Sequence, residues 1–383
     1  METYTPQTTN QKKTTHVLLL IARIIVGLLF IFSGLVKAND PLGLSYKMQE
    51  FFEVWGMQSF NEYTLFLSLV MNTFEIVAGV AVLLGWRMKL FSWLLLLLII
   101  FFTFLTGYAQ FSGKIKTCGC FGDCIPLTAL QSFIKDLILL VLILVLFVKR
   151  SVIKPFLTSA VNGLLILGSI LFCIVLQWYV IKHLPIVDCL PYKVGNNIAE
   201  KMKIPDGAVA DSFAITFTYK KAGKDVEFDM NNFPDDFDDS TYQFVERNQK
   251  LIRQGTATPA ISDFSLRSMS GTDTTVEILN QGNTYVMLLL KNIANAHKGW
   301  DKNAAAVAKA CSEKKIPLFV VSAVAEMASE RLKDIPNIHY LQCDATVIKT
   351  AGRENPTYMI MKQANILGKY ADADYEKVIQ HLK

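Results

Sequence analysis

Charge is scarce in this chain. Of its 383 residues only 19% are charged, against 52% hydrophobic, a balance that excludes an ordinary soluble protein. The net charge of +5 is modest. The positive residues cluster at the ends of apolar runs, so they report on membrane orientation and exclude nucleic acid as a partner. Internal repeats and low-complexity tracts are missing as well. The first apolar run lacks a small-residue cleavage site, because "KANDPLG" follows it. It is therefore expected to stay in the protein as a first helix.

What is present divides in two. Nearly all the long apolar runs fall before residue 182, and the rest has the composition of a soluble domain. Five runs meet the length of a membrane span, near 17–36, 65–85, 89–110, 131–148 and 160–181. Lys12 and Lys13, then Arg87 and Lys89, then Lys149, Arg150 and Lys154 all fall on one side of a five-span arrangement. That side is expected to be the cytoplasm. Lys114 and Lys116, on the other side, mildly dissent. Trp178 and Tyr179 suit an interfacial belt at the outer end of span five. The expectation is an inner-membrane, multi-pass protein with a cytoplasmic N-terminus and a periplasmic C-terminal domain.

In the soluble part, "SFAITFTYKKAGKDVEFDM" (212–230) alternates and turns at Ala222-Gly223, like a β-hairpin. The turn-rich "NNFPDDFDDSTYQF" follows. From about residue 260, strands such as "TYVMLLLKN", "IPLFVVSA", "IHYLQCDA" and "PTYMIMKQ" alternate with helical stretches, which predicts an α/β layer. The fold class is thus a membrane α-helical bundle, four core helices plus a fifth span, followed by a soluble α/β domain.

Three of the seven cysteines, Cys118, Cys120 and Cys124, lie in "KTCGCFGDCIP" (116–126) between spans three and four. The predicted topology puts them in the periplasm, where disulfides persist. Three readings stand. Close thiols can exchange disulfides, with Cys124 resolving either neighbour. A fixed disulfide can pin the loop. A zinc site is the third, disfavoured because no histidine is near. Gly119 and Gly122 would let the backbone bend. Cys189, just beyond span five, is positioned to approach the loop. Cys173 is expected to pack inside span five, and Cys311 and Cys343 to be buried thiols or a structural bridge.

Arg23 in span one, Glu75 in span two and Asp136 near the start of span four are ionisable residues at membrane depth. Spans one and two run antiparallel, so Arg23 is expected to pair with Glu75, as a structural pair or as a proton or quinone-head site. Asp136 is expected to serve as helix N-terminal charge, or to influence the nearby thiolates. The acidic run Asp235, Asp236, Asp238 and Asp239 lacks the glycine and terminal glutamate of a calcium loop and reads as a solvated turn.

"ARIIVGLLFIFSGLVKANDPLG", "FEIVAGVAVLLGWR" and "CGCFGDCIPLTALQSFIKDLILL" resemble the DoxX/MauE family of redox-associated membrane proteins. The resemblance implies a four-helix membrane bundle and thiol-disulfide work near Cys118 and Cys120. The whole chain resembles longer DoxX-type proteins with an extra span and a periplasmic tail. The tail resembles a thioredoxin-like fold, with "RENPTYMIM" implying a cis-proline at Pro356. It departs from that pattern where Cys-x-x-Cys belongs, since "IANAHKGWDK" carries no cysteine. The implied organisation is a four-helix membrane domain (1–150), a fifth helix (151–184), a periplasmic β-hairpin linker region (185–259) and a thioredoxin-like domain lacking Cys-x-x-Cys (260–383).

The function expected from these features is that of an inner-membrane thiol-disulfide redox protein. Its periplasmic Cys118/Cys120/Cys124 centre would couple thiols of periplasmic proteins to a membrane quinone, with the lipid bilayer as its medium and no metal. The alternative is a non-catalytic scaffold or assembly factor, whose loop disulfide is structural and whose tail binds client proteins. A transporter is disfavoured by the absence of an inverted repeat.

Overall fold

The computed structural model describes residues 7–383, apart from 116, 118, 210, 211, 230, 231, 235, 239, 254 and 256, and without the side chains of 7–15, 250, 251 and 253. Cys118, Lys116, Asp235 and Asp239 therefore lie outside the described residues, as do the side chains of Lys12 and Lys13. Among the described residues, five helices are long and apolar enough to cross a membrane. They are α1 (Gln7–Asn39), α3 (Thr64–Leu84), α4 (Met88–Ser112), α5 (Ala129–Val148) and α6 (Ser159–His183), while the shorter α2 (Pro41–Val54) joins α1 to α3.

Small residues set the helix register. A Cβ added to Gly79 would lie 2.7 Å from the Gly27 carbonyl oxygen and 3.0 Å from the Ile31 nitrogen. The backbones of α1 and α3 thus touch, as small residues permit in membranes. Phe30, Val77, Ala81, Leu95, Ile99 and Ile143 fill the space between α1, α3, α4 and α5, and α6 packs on α1 and α3 through Cys173 and Ile76. The ends carrying Arg87 and Lys154 cluster together, with Phe156 N–H bonded to Leu84 O at 3.1 Å. The 1–2 connection, the cysteine loop and the soluble domain meet at the opposite end.

After α6 comes a short α7 (Ile198–Lys201), then three antiparallel strands: β1 (Ser212–Lys221), β2 (Lys224–Asp229) and β3 (Tyr242–Arg253), in the order β2-β1-β3. The third strand was not read from the sequence. Asp238, within the acidic run, accepts from Ser240 and Thr241 and so forms the turn that leads into β3. Asp236 pairs with Lys221 and Tyr242.

The soluble α/β domain has a six-stranded sheet, order β4-β7-β6-β5-β8-β9. Its elements are β4 (Arg267–Ser268), α8 (Thr275–Leu279), β5 (Thr284–Leu290), α9 (Trp300–Glu313), β6 (Leu318–Ser322), α10 (Ala325–Arg331), β7 (Ile338–Gln342), α11 (Ala345–Ala351), β8 (Thr357–Lys362), β9 (Asn365–Ala371) and α12 (Tyr375–His381). β5, β6 and β7 are parallel; β8 runs antiparallel to β5, and β9 antiparallel to β8. β5 reads as a continuous apolar run because both its faces are covered. Tyr285, Met287 and Leu289 enter one core, and Val286, Leu288 and Leu290 the other. Together with the cis peptide bond at Asn355–Pro356 before β8, this arrangement is thioredoxin-like. Tyr192 and Ile198 also belong to its core, so the chain enters the domain directly after α6. Cys311 and Cys343 sit in opposite cores of the sheet, which excludes a bridge between them. Burial pushes their thiols up to about 12 and about 11.

Candidate functional site

The cysteine loop lies over the end of the bundle opposite Arg87 and Lys154. Gly119 (φ 71°) and Gly122 (φ 55°) take the left-handed conformation that favours glycine, and Gly122 N–H closes a turn on Gly119 O at 3.0 Å. A Cβ on Gly119 would lie 3.0 Å from Lys47 Cγ, so the loop is seated directly on α2. Phe121 is buried against Phe32, with ring centroids 5.8 Å apart. Thr128 and Gln131 form a capping box that starts α5 immediately after the loop.

Of the predicted cysteines, the structure describes Cys120 and Cys124 and gives them different surroundings. Cys124 is bonded to Cys189 across 65 residues, with Cα atoms 4.8 Å apart. This ties the loop to the segment that leaves α6. Asn39, at the end of α1, holds the same segment through two hydrogen bonds with the Val187 backbone. Cys120 is half-buried and faces the bundle. Its carbonyl accepts a hydrogen bond of 3.0 Å from Ser33.

Arg23 and Glu75 do not pair. The α1–α3 register sets Arg23 opposite the end of α3, where it donates to Val82 O (3.1 Å) and Leu83 O (2.8 Å) and lies over the Phe156 ring. Glu75 sits about two turns further along α3 and reaches Lys37 and Ser33 instead. Asp136 also departs from expectation. It lies beyond the first turn of α5, where the helix-end field has faded, and it is fully buried between Lys135 (2.6 Å) and Thr106 (3.1 Å).

Beneath the loop is a cavity of about 220 Å³. Phe51 and Phe52 of α2, Trp55 just past its end, Met71 of α3, and Phe101 and Phe102 of α4 form its apolar walls. Cys120, Gly119, Ser33, Lys37, Lys47 and Lys135 form its polar end. The Lys37 ammonium lies 5.1 Å from the Phe102 ring centroid. Leu67 and Phe101 also line the cavity and are 40% and 44% exposed on the bundle surface, so its apolar side reaches the lipid-facing exterior. A smaller cavity of about 20 Å³ adjoins the same groups and is lined by Ser33, Glu75, Lys135 and Asp136.

The soluble domain presses its cis-proline loop onto this site. Arg353 is 6% exposed and bridges Asp40 (2.8 Å) and Asp123 (2.5 Å), one on each side of the loop's seat. Burial opposes its charge, but the two carboxylates more than offset that, and its pKa is raised. Lys291, at the end of β5, donates to Tyr46 Oη (3.1 Å) and Arg353 O (2.7 Å), and burial pulls its pKa down to about 8. Beside it, burial pushes Glu354 up to about 7. His297 lies 3.6 Å from buried Asp372, which Asn303 and Tyr358 also hold. Asp40 additionally caps α2 by accepting from Gly43 N–H.

Ser33, Lys37, Lys47, Lys135, Asp40, Asp123 and Arg353 were not singled out from the sequence. The one local signal was the adjacency of opposite charges in Lys135-Asp136 within an apolar helix. The others acquire meaning only through contacts distant in the chain.

Residues 15–149 match the family described as methylamine utilisation protein MauE. Residues 213–254, the three-stranded sheet, match a domain of unknown function. Protein TlpB from Flavobacterium psychrophilum is 27% identical over 128 residues, 33% of this chain and 35% of that protein. The chain thus aligns with about a third of that relative's length. The similar solved structures include, each over 32% of this chain, BsSco, of the Sco family of cytochrome c oxidase assembly proteins (90% of that chain, 11% identity, TM-score 0.26), and a SCO1/SenC family lipoprotein from Bacillus anthracis (92%, 15%, 0.25).

Proposed function

We propose that the chain is an inner-membrane thiol-disulfide redox protein of DoxX type. In this reading the loop cysteines pass electron pairs from periplasmic protein thiols to a membrane quinone. The observation that carries the reading is the cavity. Its wall includes Cys120, its polar end holds three lysines, and its apolar side reaches the lipid-facing surface. That combination suits a ring with two carbonyl oxygens and an isoprenoid tail.

Cys118, Cys120 and Cys124 form the proposed exchange set, with Cys124 entering through its bond to Cys189. A client thiolate attacks a loop disulfide, forming a mixed disulfide and releasing a loop thiolate. The client's second thiolate then breaks the mixed disulfide and leaves the client oxidised. The loop dithiol now carries two electrons and two protons. Both pairs pass to the quinone, which leaves as quinol while the loop disulfide re-forms.

The test is electron transfer by the full chain in nanodiscs, from a reduced dithiol protein to short-chain ubiquinone and menaquinone analogues. Quinol formation that disappears in Cys120→Ser is expected. No quinol formation by the intact chain would overturn the quinone arm. Loop cysteines that resist reduction by the dithiol protein would overturn the redox reading itself. The scaffold reading would then stand. Its proposed client face is restricted, because the cis-proline loop is already taken by Asp40, Tyr46 and Asp123 of the chain itself.

A further inference from the structure

Ser33 stands between two acceptors with a single hydroxyl proton to give. Its Oγ lies 3.0 Å from Glu75 Oε2 and 3.0 Å from the Cys120 carbonyl oxygen. While Glu75 is ionised, Ser33 satisfies only one of them. With a proton on Oε2, Glu75 donates to Ser33, and Ser33 donates to the Cys120 carbonyl. The Glu75 Oε1 atom accepts from Lys37 in either state. The cluster thus has two hydrogen-bonded arrangements that differ by one proton.

Its placement gives that proton somewhere to go. Glu75 is fully buried and Lys37 is 3% exposed, yet Lys37 and Ser33 also form part of the wall of the large cavity beside Cys120. On its far side, Glu75 shares the small cavity with Lys135 and Asp136. About 20 Å³ is room for one water, with Ser33, Glu75, Lys135 and Asp136 as polar partners in an otherwise apolar wall. A purely structural ion pair needs neither opening. We propose that Glu75, acting through Ser33 and Lys37, is the proton-handling residue of the cavity, holding and delivering the protons taken up at the oxygens of a quinone head group.

The inference rests on the quinone reading above. Reduction of the quinone takes up two electrons and two protons, and oxidation of the loop dithiol releases the same number. The relay supplies the route for the protons. The groups facing Glu75 are Lys37 from α1, Lys135 and Asp136 from α5, and the loop at Cys120. Helix α4 contributes Phe102, while Thr106 of α4 is bonded to Asp136 and Gln177 of α6 to Asn72. Lys47 of α2 shares the large cavity.

The experiment measures quinol formation by the pre-reduced full chain in nanodiscs across the neutral pH range, for wild type, Glu75→Gln and Ser33→Ala. Loop integrity is read from the Cys124–Cys189 disulfide before reduction. Glu75→Gln is expected to slow quinol formation by about 100-fold, the scale of lost acid–base assistance, and to flatten its pH profile. Ser33→Ala keeps the ion pair and is expected to shift the profile in the same sense. A wild-type-like rate and profile in Ser33→Ala, or in a folded Glu75→Gln, overturns the relay and leaves the quinone reading intact. Absence of quinol formation in wild type overturns both.

Discussion

Replacing Arg353 with Met tests whether the soluble domain is clamped onto the cysteine loop. The guanidinium is 6% exposed and joins two carboxylates from separate parts of the membrane domain, Asp40 (17% exposed) and Asp123 (44% exposed). Removing one partner of a fully buried pair costs about 3–5 kcal/mol, chiefly because the other charge stays buried and unpaired. Here the carboxylates are partly wetted, and Asp40 keeps the Gly43 N–H. The cost to docking should therefore be smaller, about 2 kcal/mol, or about 30-fold in the docking equilibrium. Amide hydrogen exchange of residues 119–124 and 353–356 reads this directly. Both segments should exchange about 30-fold faster in Arg353→Met, while β5 and β6 stay protected. The change should be larger after reduction of Cys124–Cys189, because that bond confines the undocked state. Unchanged exchange in both segments, with the disulfide reduced, would refute the clamp.

Glu354→Gln should remove a pH dependence of the soluble domain. Glu354 sits at about 7 when folded against an ordinary 4.5, so the folded state holds the extra proton between those values and stability falls as pH rises through them. Lys291 sits at about 8 against 10.5, so the unfolded state holds the extra proton there and stability rises from about 8 upward. Thermal unfolding should find the domain weakest between about 7 and 8, and Glu354→Gln should abolish only the acid-side slope. Gly79→Leu should push α1 from α3, since its Cβ alone would meet the Gly27 carbonyl at 2.7 Å; a loss of about 1–3 kcal/mol or more is read by thermal stability in detergent. Gly119→Ala combines a left-handed φ of 71° with a 3.0 Å approach to Lys47; it should destabilise the loop by about 1–2 kcal/mol, seen as faster exchange of residues 119–124 without change in the soluble core.

The five spans and the α/β tail were legible because long apolar runs and period changes are local signals. β3 was hidden by the acidic turn before it and by its many polar residues, such as Glu246, Arg247, Asn248 and Gln249. β9 was hidden by Gly368 within a short, mixed segment. The Arg23–Glu75 pairing failed for a different reason. Antiparallel order alone does not fix the register. Contact between the small residues Gly27 and Gly79 does, and it places Glu75 against Ser33 and Lys37. The cysteine loop was conspicuous in sequence, but the partner of Cys124 lies 65 residues away. No local pattern could choose Cys189 over a neighbour within the loop.

Three attachments from three regions of the chain converge on five residues of that loop, 120–124. Ser33 of α1 holds the Cys120 carbonyl, Arg353 of the soluble domain holds the Asp123 carboxylate, and Cys189 beyond α6 holds Cys124. A loop that merely joined two helices would not need such bracing, because loops usually keep their freedom at the surface. Fixing Cys120 at a cavity wall is useful if a reacting group must meet it in one orientation, since pre-positioning removes entropy cost from the encounter. The missing dithiol of the thioredoxin-like domain then has a physical reading. The end of β5 and the cis-proline loop, where that fold places its chemistry, carry Lys291 and Arg353 and grip the membrane domain. The domain's binding face has been turned inward, so that its ligand is the loop that bears the cysteines.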